Sequence, residues 1–513
     1  MTSLEQPSIL NHPTIGPIRG IRKVDGAAQF LGVQYAVLRD RFARGELLKS
    51  YPSDHPRVQE GVFDATCLGP VPISPTNGCE WEQKLIQHSL PASALTQSDT
   101  ECLTVNIAIP DIKTDGPAWP VLALVHGGAF ATGSSSYPQY DLGHIVQTSV
   151  QMGQPMIAVG INYRLGVAGF LHSSAMAEAG YKPNNGLDDQ RLGLLWIKHH
   201  IAGFHGDPER VTYIGESSGA ASGTFHLHGT QPLFSQLIAM SGSSIVKAKP
   251  MAMGERSFAT AIQLLGCNGD VDVLLKASPE DIREKIGRKM PMGPLIDGEK
   301  IAAATTYAAL ADPGRAADLF PGMQWCKRIL VGDCQMDGSA YAPRVAARSD
   351  VLPHTLATYL AEALDPIDPK LTPAITSAYG LDQSATANTT ESTKAVLDLA
   401  TDICFALGAR AFARAWSQKP GAEAFLYRFN VPNPWDGPWK GHATHILDIA
   451  VGADQGAMVY FAAESGEDDE SRYVPAEDPQ QTGRRVILQD LLDEAGLDKV
   501  MTAWEMFMRG PKV

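Results

Sequence analysis

Short apolar runs alternate with segments of helical periodicity along much of the chain. The runs are rich in Val, Leu, Ile and Ala and end at glycine or polar residues, which is typical of strands buried on both faces. We predict six such strands, at residues 121–128, 156–164, 210–215, 237–243, 328–333 and 424–430. Strands that alternate with helices favour an α/β fold with a mostly parallel central sheet flanked by helices.

Helical patterns fill the intervals between several of these strands. Residues 186–204 predict one helix, with two aspartates in its first turn and Lys198 near its end, as the helix dipole favours. Residues 218–229 predict a short helix of small side chains. Residues 393–416 predict a long helix with apolar positions at helical spacing.

The chain has neither internal repeats nor a low-complexity linker that would divide it into independent units. We therefore predict a single domain over residues 1–513. Helical insertions at about 245–325 and 339–420 are expected to roof a site. The acidic run at 464–471 is interpreted as a solvated loop.

Composition narrows the possible partners. The 513 residues carry a formal net charge of −14 without a basic cluster, so neither nucleic acid nor an anionic membrane surface is expected as a partner. The best candidate for a membrane span is interrupted by Asn162 and Arg164. The N-terminus lacks a signal-peptide pattern and the seven cysteines lack metal-ligand spacing, so we expect a cytoplasmic protein with reduced thiols. Its oligomeric state stays open.

The stretch VTYIGESSGAASG, residues 211–223, contains the pattern G-x-S-x-G. A chance match is common in a chain with 48 glycines, so the surroundings decide its meaning. Here a strand precedes Ser217 and a helix follows it, as a tight turn that exposes a nucleophilic serine requires. The alternative is an ordinary loop serine.

A second glycine-rich stretch lies upstream of this serine. The predicted strand at 121–128 ends with His126, Gly127 and Gly128, and Ala129 and Phe130 follow it. Consecutive N–H groups on a glycine-rich backbone can converge on one oxygen atom, which is what a developing oxyanion requires. The alternative is a plain turn between a strand and a loop.

Several motifs together resemble the type-B carboxylesterases, a family that includes the cholinesterases and fungal lipases. The motifs run through most of the chain: SDTECLTVNI (98–107), HGGAF (126–130), NYRLGVAGFL (162–171), NNGLDDQRLGLLWI (184–197), FHGDPERVTYIGESSGA (204–220), MSGSS (240–244), LIDG (295–298), VGDCQMDGSAY (331–341) and GHATHILDI (441–449). The resemblance implies the α/β-hydrolase fold and a Ser–acid–His triad in that chain order. Residues 439–448 resemble the corresponding segment of fungal members.

The resemblance also implies which residues complete the triad. Its acid lies in a turn after a late strand, where Asp337 stands in place of the usual glutamate; Asp333 is the alternative. Its histidine precedes an acidic residue by three positions, which His445 and Asp448 satisfy and His442 does not.

The oxyanion donors follow from the same resemblance. They would be the backbone N–H groups of Gly128, Ala129 and Ser218. Two departures from the family pattern concern other parts of the chain. Cys102 lacks its usual disulfide partner, although Cys79 lies nearby, and the C-terminal tail is shorter than usual.

These residues predict a serine hydrolase that cleaves a small-molecule ester or lactone through an acyl-enzyme. The chemistry requires no metal ion and no organic cofactor. Transfer of the acyl group to another acceptor, or the opening or closing of a lactone, would use the same triad and stays an alternative. A non-catalytic binding protein is the remote alternative.

Overall fold

The computed structural model describes residues 6–246, 248–266, 270–290, 292–348, 352–382, 390–451 and 479–509. Its strands are β1 (Gln6–His12), β2 (Gly16–Val24), β3 (Ala27–Gln34), β4 (Ala36–Val37), β5 (Glu46–Leu47), β6 (Val58–Gln59), β7 (Val62–Asp64), β8 (Thr104–Pro110), β9 (Trp119–Val125), β10 (Ile157–Ile161), β11 (Gly206–Glu216), β12 (Gln236–Met240), β13 (Lys249–Pro250), β14 (Leu295–Ile296), β15 (Arg328–Cys334) and β16 (Glu423–Phe429).

The α-helices are α1 (Gly78–Ile86), α2 (Leu142–Gln151), α3 (Gly166–Phe170), α4 (Ser174–Glu178), α5 (Asn185–His200), α6 (Ser218–His226), α7 (Met251–Leu264), α8 (Val271–Lys276), α9 (Pro279–Asp281), α10 (Tyr307–Ala311), α11 (Pro313–Leu319), α12 (Ala342–Ala346), α13 (Leu352–Leu364), α14 (Leu371–Ala378), α15 (Thr390–Thr401), α16 (Leu407–Ser417), α17 (Leu447–Val451), α18 (Pro479–Leu491) and α19 (Glu494–Arg509). Short 3₁₀ segments lie at Ile201–Phe204, Gly287–Lys289, Pro321–Gln324 and Asp337–Tyr341, and π turns at Ile282–Ile286 and Asp402–Ala406.

Twelve strands form one sheet in the order β16-β15-β12-β11-β9-β10-β8-β3-β2-β7-β6, with β1 paired to β2. The six strands from β16 to β10 are parallel, and β8, β3 and β2 join them antiparallel. The six parallel strands are the six that the apolar pattern predicts. The prediction of an α/β fold with a mostly parallel central sheet is thus confirmed.

Burial explains why the sequence pattern identified these strands. Every residue of β9, β10 and β12 is buried, because helices cover both faces of the central sheet. The largest hydrophobic cluster draws residues from Ile15 to Phe507, so both ends of the described chain contribute to it. The single-domain assignment stays a prediction.

The helices differ from prediction in one instructive place. Residues 186–204 form α5 and a 3₁₀ turn as expected, but the predicted helix at 393–416 is interrupted. A π turn at Asp402–Ala406 separates α15 from α16, and it inserts one extra residue into the helical path. The acidic run at 464–471 lies outside the described residues.

A buried ion pair fixes the loop after β10 to helix α5. Arg164 donates to both carboxylate oxygens of Asp189 at 2.8 and 2.7 Å, and to the carbonyl oxygens of Arg41 and Ala43. Both charged side chains are at most 1% exposed. The pair therefore joins the N-terminal part of the chain to the sheet next to the glycine-rich loop.

We predict that Arg164→Met lowers the free energy of unfolding by about 3 to 5 kcal/mol, because Asp189 is left as a buried, unpaired charge. Urea denaturation measures the change. Arg22→Met is the matched control, because its pair with Asp111 is about one-third exposed and is expected to contribute less than about 1 kcal/mol. Equal losses in the two variants would contradict this account.

Candidate active site

Ser217 lies at a sharp turn between β11 and α6. Its backbone has φ 55° and ψ −120°, a region that non-glycine residues rarely adopt. A Cβ atom on Gly215 would lie 2.4 Å from the carbonyl carbon of Gly219, and one on Gly219 would lie 2.1 Å from the carbonyl oxygen of Val125. Only glycine fits at these two positions, and their contacts bring α6 against the sheet.

The strand beside the turn supports the strained serine. The Ser217 N–H donates to the carbonyl oxygen of Met240, at the end of β12, over 2.8 Å. Gly242 then passes so close that a Cβ atom there would lie 2.2 Å from the Ser217 carbonyl oxygen. Ser217 is half-buried, whereas its neighbours Glu216 and Ser218 are buried.

The glycine-rich loop after β9 packs directly against this turn. Gly128, Ala129 and Phe130 have φ values of 101°, 55° and 60°, so three successive residues are left-handed. The Phe130 N–H donates to Ser218 Oγ at 3.3 Å, which ties the loop to the start of α6. The loop and the helix N-terminus that carry the three expected oxyanion donors are therefore adjacent.

The structure brings His445 and Asp337 together. His445 Nδ1 lies 2.7 Å from Asp337 Oδ1, and both side chains are at most 2% exposed. The second carboxylate oxygen of Asp337 accepts from the Cys334 N–H at 2.8 Å. The His445 N–H donates to Ser339 Oγ at 3.0 Å, so the turn after β15 holds both the acid and the histidine.

The two alternatives occupy different surroundings. The Asp333 carboxylate accepts from Arg485 at 2.6 Å. His442 is half-buried, and its backbone N–H donates to the Trp439 carbonyl oxygen at 3.1 Å, in the loop before His445. The contacts therefore favour Asp337 over Asp333 as the acid, and His445 over His442 as the histidine.

Glu216, to which the sequence assigned no role, faces the other nitrogen of the imidazole. His445 Nε2 lies 3.1 Å from Glu216 Oε1. Burial, followed by the charges of Asp448 and Glu82, raises the pKa of Glu216 well above its ordinary value. The motif G-E-S places an acid beside the serine, but only the fold shows that it reaches the histidine.

Two further buried acids, Asp448 and Glu82, lie near Glu216. Burial, together with the charge of Asp337, raises the pKa of Asp448 to about 7, and the Tyr427 hydroxyl donates to its carboxylate at 3.0 Å. Glu82 of α1 accepts from Gln139 at 2.7 Å behind the glycine-rich loop. Neither contact is apparent from sequence spacing.

Other expectations have local outcomes. Cys79 and Cys102 are both free thiols, and Cys102 is buried. Among the residues that the structure describes, no group of three or more His, Cys, Asp or Glu side chains could hold a metal ion. None of the helices in the described ranges is long and apolar enough to cross a membrane.

Comparison with known proteins identifies the family. The model of the carboxylesterase family matches residues 6–508. The chain belongs to the carboxylesterase family. The family resemblance read from the motifs is thus confirmed, whereas a fungal origin stays a prediction.

Relatives of this carboxylesterase-family chain include a protein named as an esterase and one named as inactive. It is 35% identical over 273 residues to para-nitrobenzyl esterase of Bacillus subtilis (strain 168), which covers 52% of this chain and 50% of that protein. It is 29% identical over 276 residues to the inactive carboxylesterase-like protein VdtD of Byssochlamys spectabilis, covering 53% and 44%. These alignments span about half the length of the curated relatives.

The fold comparison extends over more of the carboxylesterase-family chain. A solved structure of a PNB esterase superposes with a TM-score of 0.65 and 26% identity, covering 94% of this chain and 88% of that one. The α/β-hydrolase fold expected from the resemblance is thereby confirmed.

We predict that the elevated pKa of Asp448 makes stability depend on pH. The folded state holds this proton more tightly than the unfolded chain, whose aspartates titrate near 3.9, so its stabilising effect is lost as pH rises from about 4 through 7. In Asp448→Asn the loss of unfolding free energy between about pH 5 and 7.5 should be smaller than in the wild type. Denaturation at both pH values measures it, and an unchanged slope would refute the assignment.

Proposed function

We propose that the protein is a carboxylic ester hydrolase in which Ser217, His445 and Asp337 form the catalytic triad. The observation that carries the proposal is the 2.7 Å contact between His445 and Asp337. The other imidazole nitrogen lies 3.1 Å from Glu216, the residue that precedes Ser217 in its strained turn. One relative is named as inactive, so family membership alone does not imply catalysis. The proposal therefore rests on this chain's own residues.

The first half of the reaction transfers the acyl group to Ser217. His445 accepts the hydroxyl proton, Ser217 Oγ attacks the carbonyl carbon, and the carbonyl electron pair moves onto oxygen. The N–H groups of Gly128, Ala129 and Ser218 donate to that oxyanion, and each contributes about 3 kcal/mol in comparable sites. The intermediate then expels the alcohol, which takes its proton from His445.

The second half repeats these steps with water. His445 removes a proton from water, the resulting hydroxide attacks the acyl-enzyme, and Ser217 leaves with the proton. Asp337 accepts from Nδ1–H throughout, so Nε2 is free to act as the base and the imidazolium is stabilised. Aspartate is one methylene shorter than the usual glutamate, and the bond from Cys334 N–H holds its carboxylate in reach of the ring.

In this scheme His445 Nε2, which contacts Glu216 in the structure, must also accept the proton of Ser217. Burial raises the pKa of Glu216 well above its ordinary value, which disfavours a second negative charge beside the imidazolium. For the attack, the Ser217 hydroxyl must replace Glu216 as the group in contact with His445 Nε2. The substrate is proposed to be a small-molecule ester, and acyl transfer by the same triad is tested by adding an alcohol or amine acceptor.

We predict that Ser217→Ala abolishes hydrolysis of a 4-nitrophenyl ester, because it removes the nucleophile. The neighbouring Ser218 cannot replace it, since its hydroxyl is buried and accepts from the Phe130 N–H. Release of 4-nitrophenol measures the rate, which should fall by at least about a thousandfold. Ser417→Ala, an exposed serine on α16, is the matched control and should leave the rate unchanged. Retained activity in Ser217→Ala would rule out this nucleophile.

We predict that substitutions at the two candidate acids lower kcat to very different extents. Asp337→Asn should lower kcat by about three to four orders of magnitude, because an amide cannot orient the imidazole in the required tautomer. Asp333→Asn leaves Asp337 in place in the turn after β15 (residues 335–341, the acid turn) and should lower kcat less than about tenfold. The kinetics of both folded variants measure this difference. A larger loss in Asp333→Asn would show that the acid has been misassigned.

A further inference from the structure

A buried cation lies behind the turn that carries the acid. Arg485 of α18 donates from Nη2 to Asp333 and from Nε to Asp402, each over 2.6 Å. All three side chains are at most 5% exposed. The guanidinium therefore joins the end of β15 to the start of the π turn at Asp402–Ala406.

Both joined segments contact His445. Asp333 precedes Asp337 by four residues, and Asp337 binds His445 Nδ1. On the other side, the π turn carries Phe405, whose ring centroid lies 5.3 Å from that of the imidazole. The Gly338 N–H also donates to Thr401 Oγ1 at 2.8 Å, so the acid turn and the end of α15 are in direct contact.

Around Arg485, equal numbers of cationic and carboxylate side chains face each other. Asp402 also accepts from the Tyr379 hydroxyl at 2.8 Å and lies 4.0 Å from Arg484. Arg484 in turn faces Asp398, which Lys394 pairs at 2.8 Å.

The carboxylates nearest His445 complete this arrangement of charges. Asp337 binds the imidazole, Glu216 faces its Nε2, and Asp448 lies three residues beyond it in the chain. Asp333 lies close enough to Asp337 for the two charges to repel each other. Arg485 is the cation that directly compensates Asp333.

Removing this cation has a specific consequence. Burial raises the pKa of Asp333 to about 6 even in the presence of Arg485. Without the guanidinium the carboxyl holds its proton to higher pH, and its ionisation then leaves an unpaired charge next to the acid turn. That charge is expected to disturb the contact between Asp337 and His445.

We propose that Arg485 is a positioning residue of the triad: by compensating the buried charge of Asp333 behind the acid turn, it keeps the contact between Asp337 and His445 undisturbed. This inference rests on the proposed function. It concerns a contact between residues 152 positions apart, on a helix that the triad itself does not use.

The test is the pH dependence of kcat and KM for a 4-nitrophenyl ester. Arg485→Met should lower kcat at least about tenfold with KM within about twofold, and should add a loss of activity above about pH 7 that the wild type lacks. Adding Asp333→Asn should restore kcat to within about threefold and remove that loss, because a neutral amide at this position needs no cation. Arg414→Met, in an exposed pair with Glu494, is the control.

The outcomes of this test separate a positioning role from a structural one. A loss that is equal at all pH values and is not relieved by Asp333→Asn means that Arg485 is only structural, and overturns the inference. If Arg485→Met fails to fold, Arg485→Lys should show an intermediate loss with the same pH dependence, and a uniform loss there overturns it equally.

If the wild type does not hydrolyse esters, the proposed function fails while this inference is still testable. The downfield proton NMR signal of His445 Nδ1–H should then be present in the wild type, shifted or lost in Arg485→Met, and restored in the double variant. An identical signal in all three proteins would overturn the inference.

Discussion

The left-handed backbone of Ser217 is the constraint on which the site depends. A side chain on Gly215 or Gly219 would collide with the backbone, so α6 packs directly on the strands that carry the serine and the glycine-rich loop. This close approach puts Phe130 N–H within 3.3 Å of Ser218 Oγ. The turn therefore places Ser217 next to the loop that carries the proposed oxyanion donors, and strain at Ser217 is balanced by the surrounding packing.

Charge is the second constraint, because one imidazole lies among several buried carboxyl groups. Asp337 is held by a backbone N–H and is well placed to stabilise an imidazolium. Glu216 and Asp448 have pKa values raised by burial, which favours their neutral forms. Asp333 is compensated by Arg485. The single negative charge that the mechanism needs can thus be localised on Asp337 even though other acids lie nearby.

Much of this architecture could be predicted from the sequence, for identifiable reasons. The six parallel strands are continuous apolar runs, and the turn at Ser217 has two glycines at fixed spacing. Strands β1, β2, β3 and β8, which are seven to nine residues long, are not among the predicted ones, and β6 and β7, at two and three residues, are too short for a periodic pattern. The π turn depends on local hydrogen bonding that helical periodicity does not reveal. The contacts of Glu216 with His445, and of Arg485 with Asp333 and Asp402, exist only in the folded chain.

The central claim is that the turn at Ser217 produces a nucleophile. Reaction with a fluorophosphonate followed by peptide mass spectrometry tests it most directly, because only an activated serine attacks phosphorus at an appreciable rate. The account predicts one adduct per chain, located on Ser217 and absent after Ser217→Ala. An adduct on Ser218 or another serine, or no adduct on the folded protein, would contradict it.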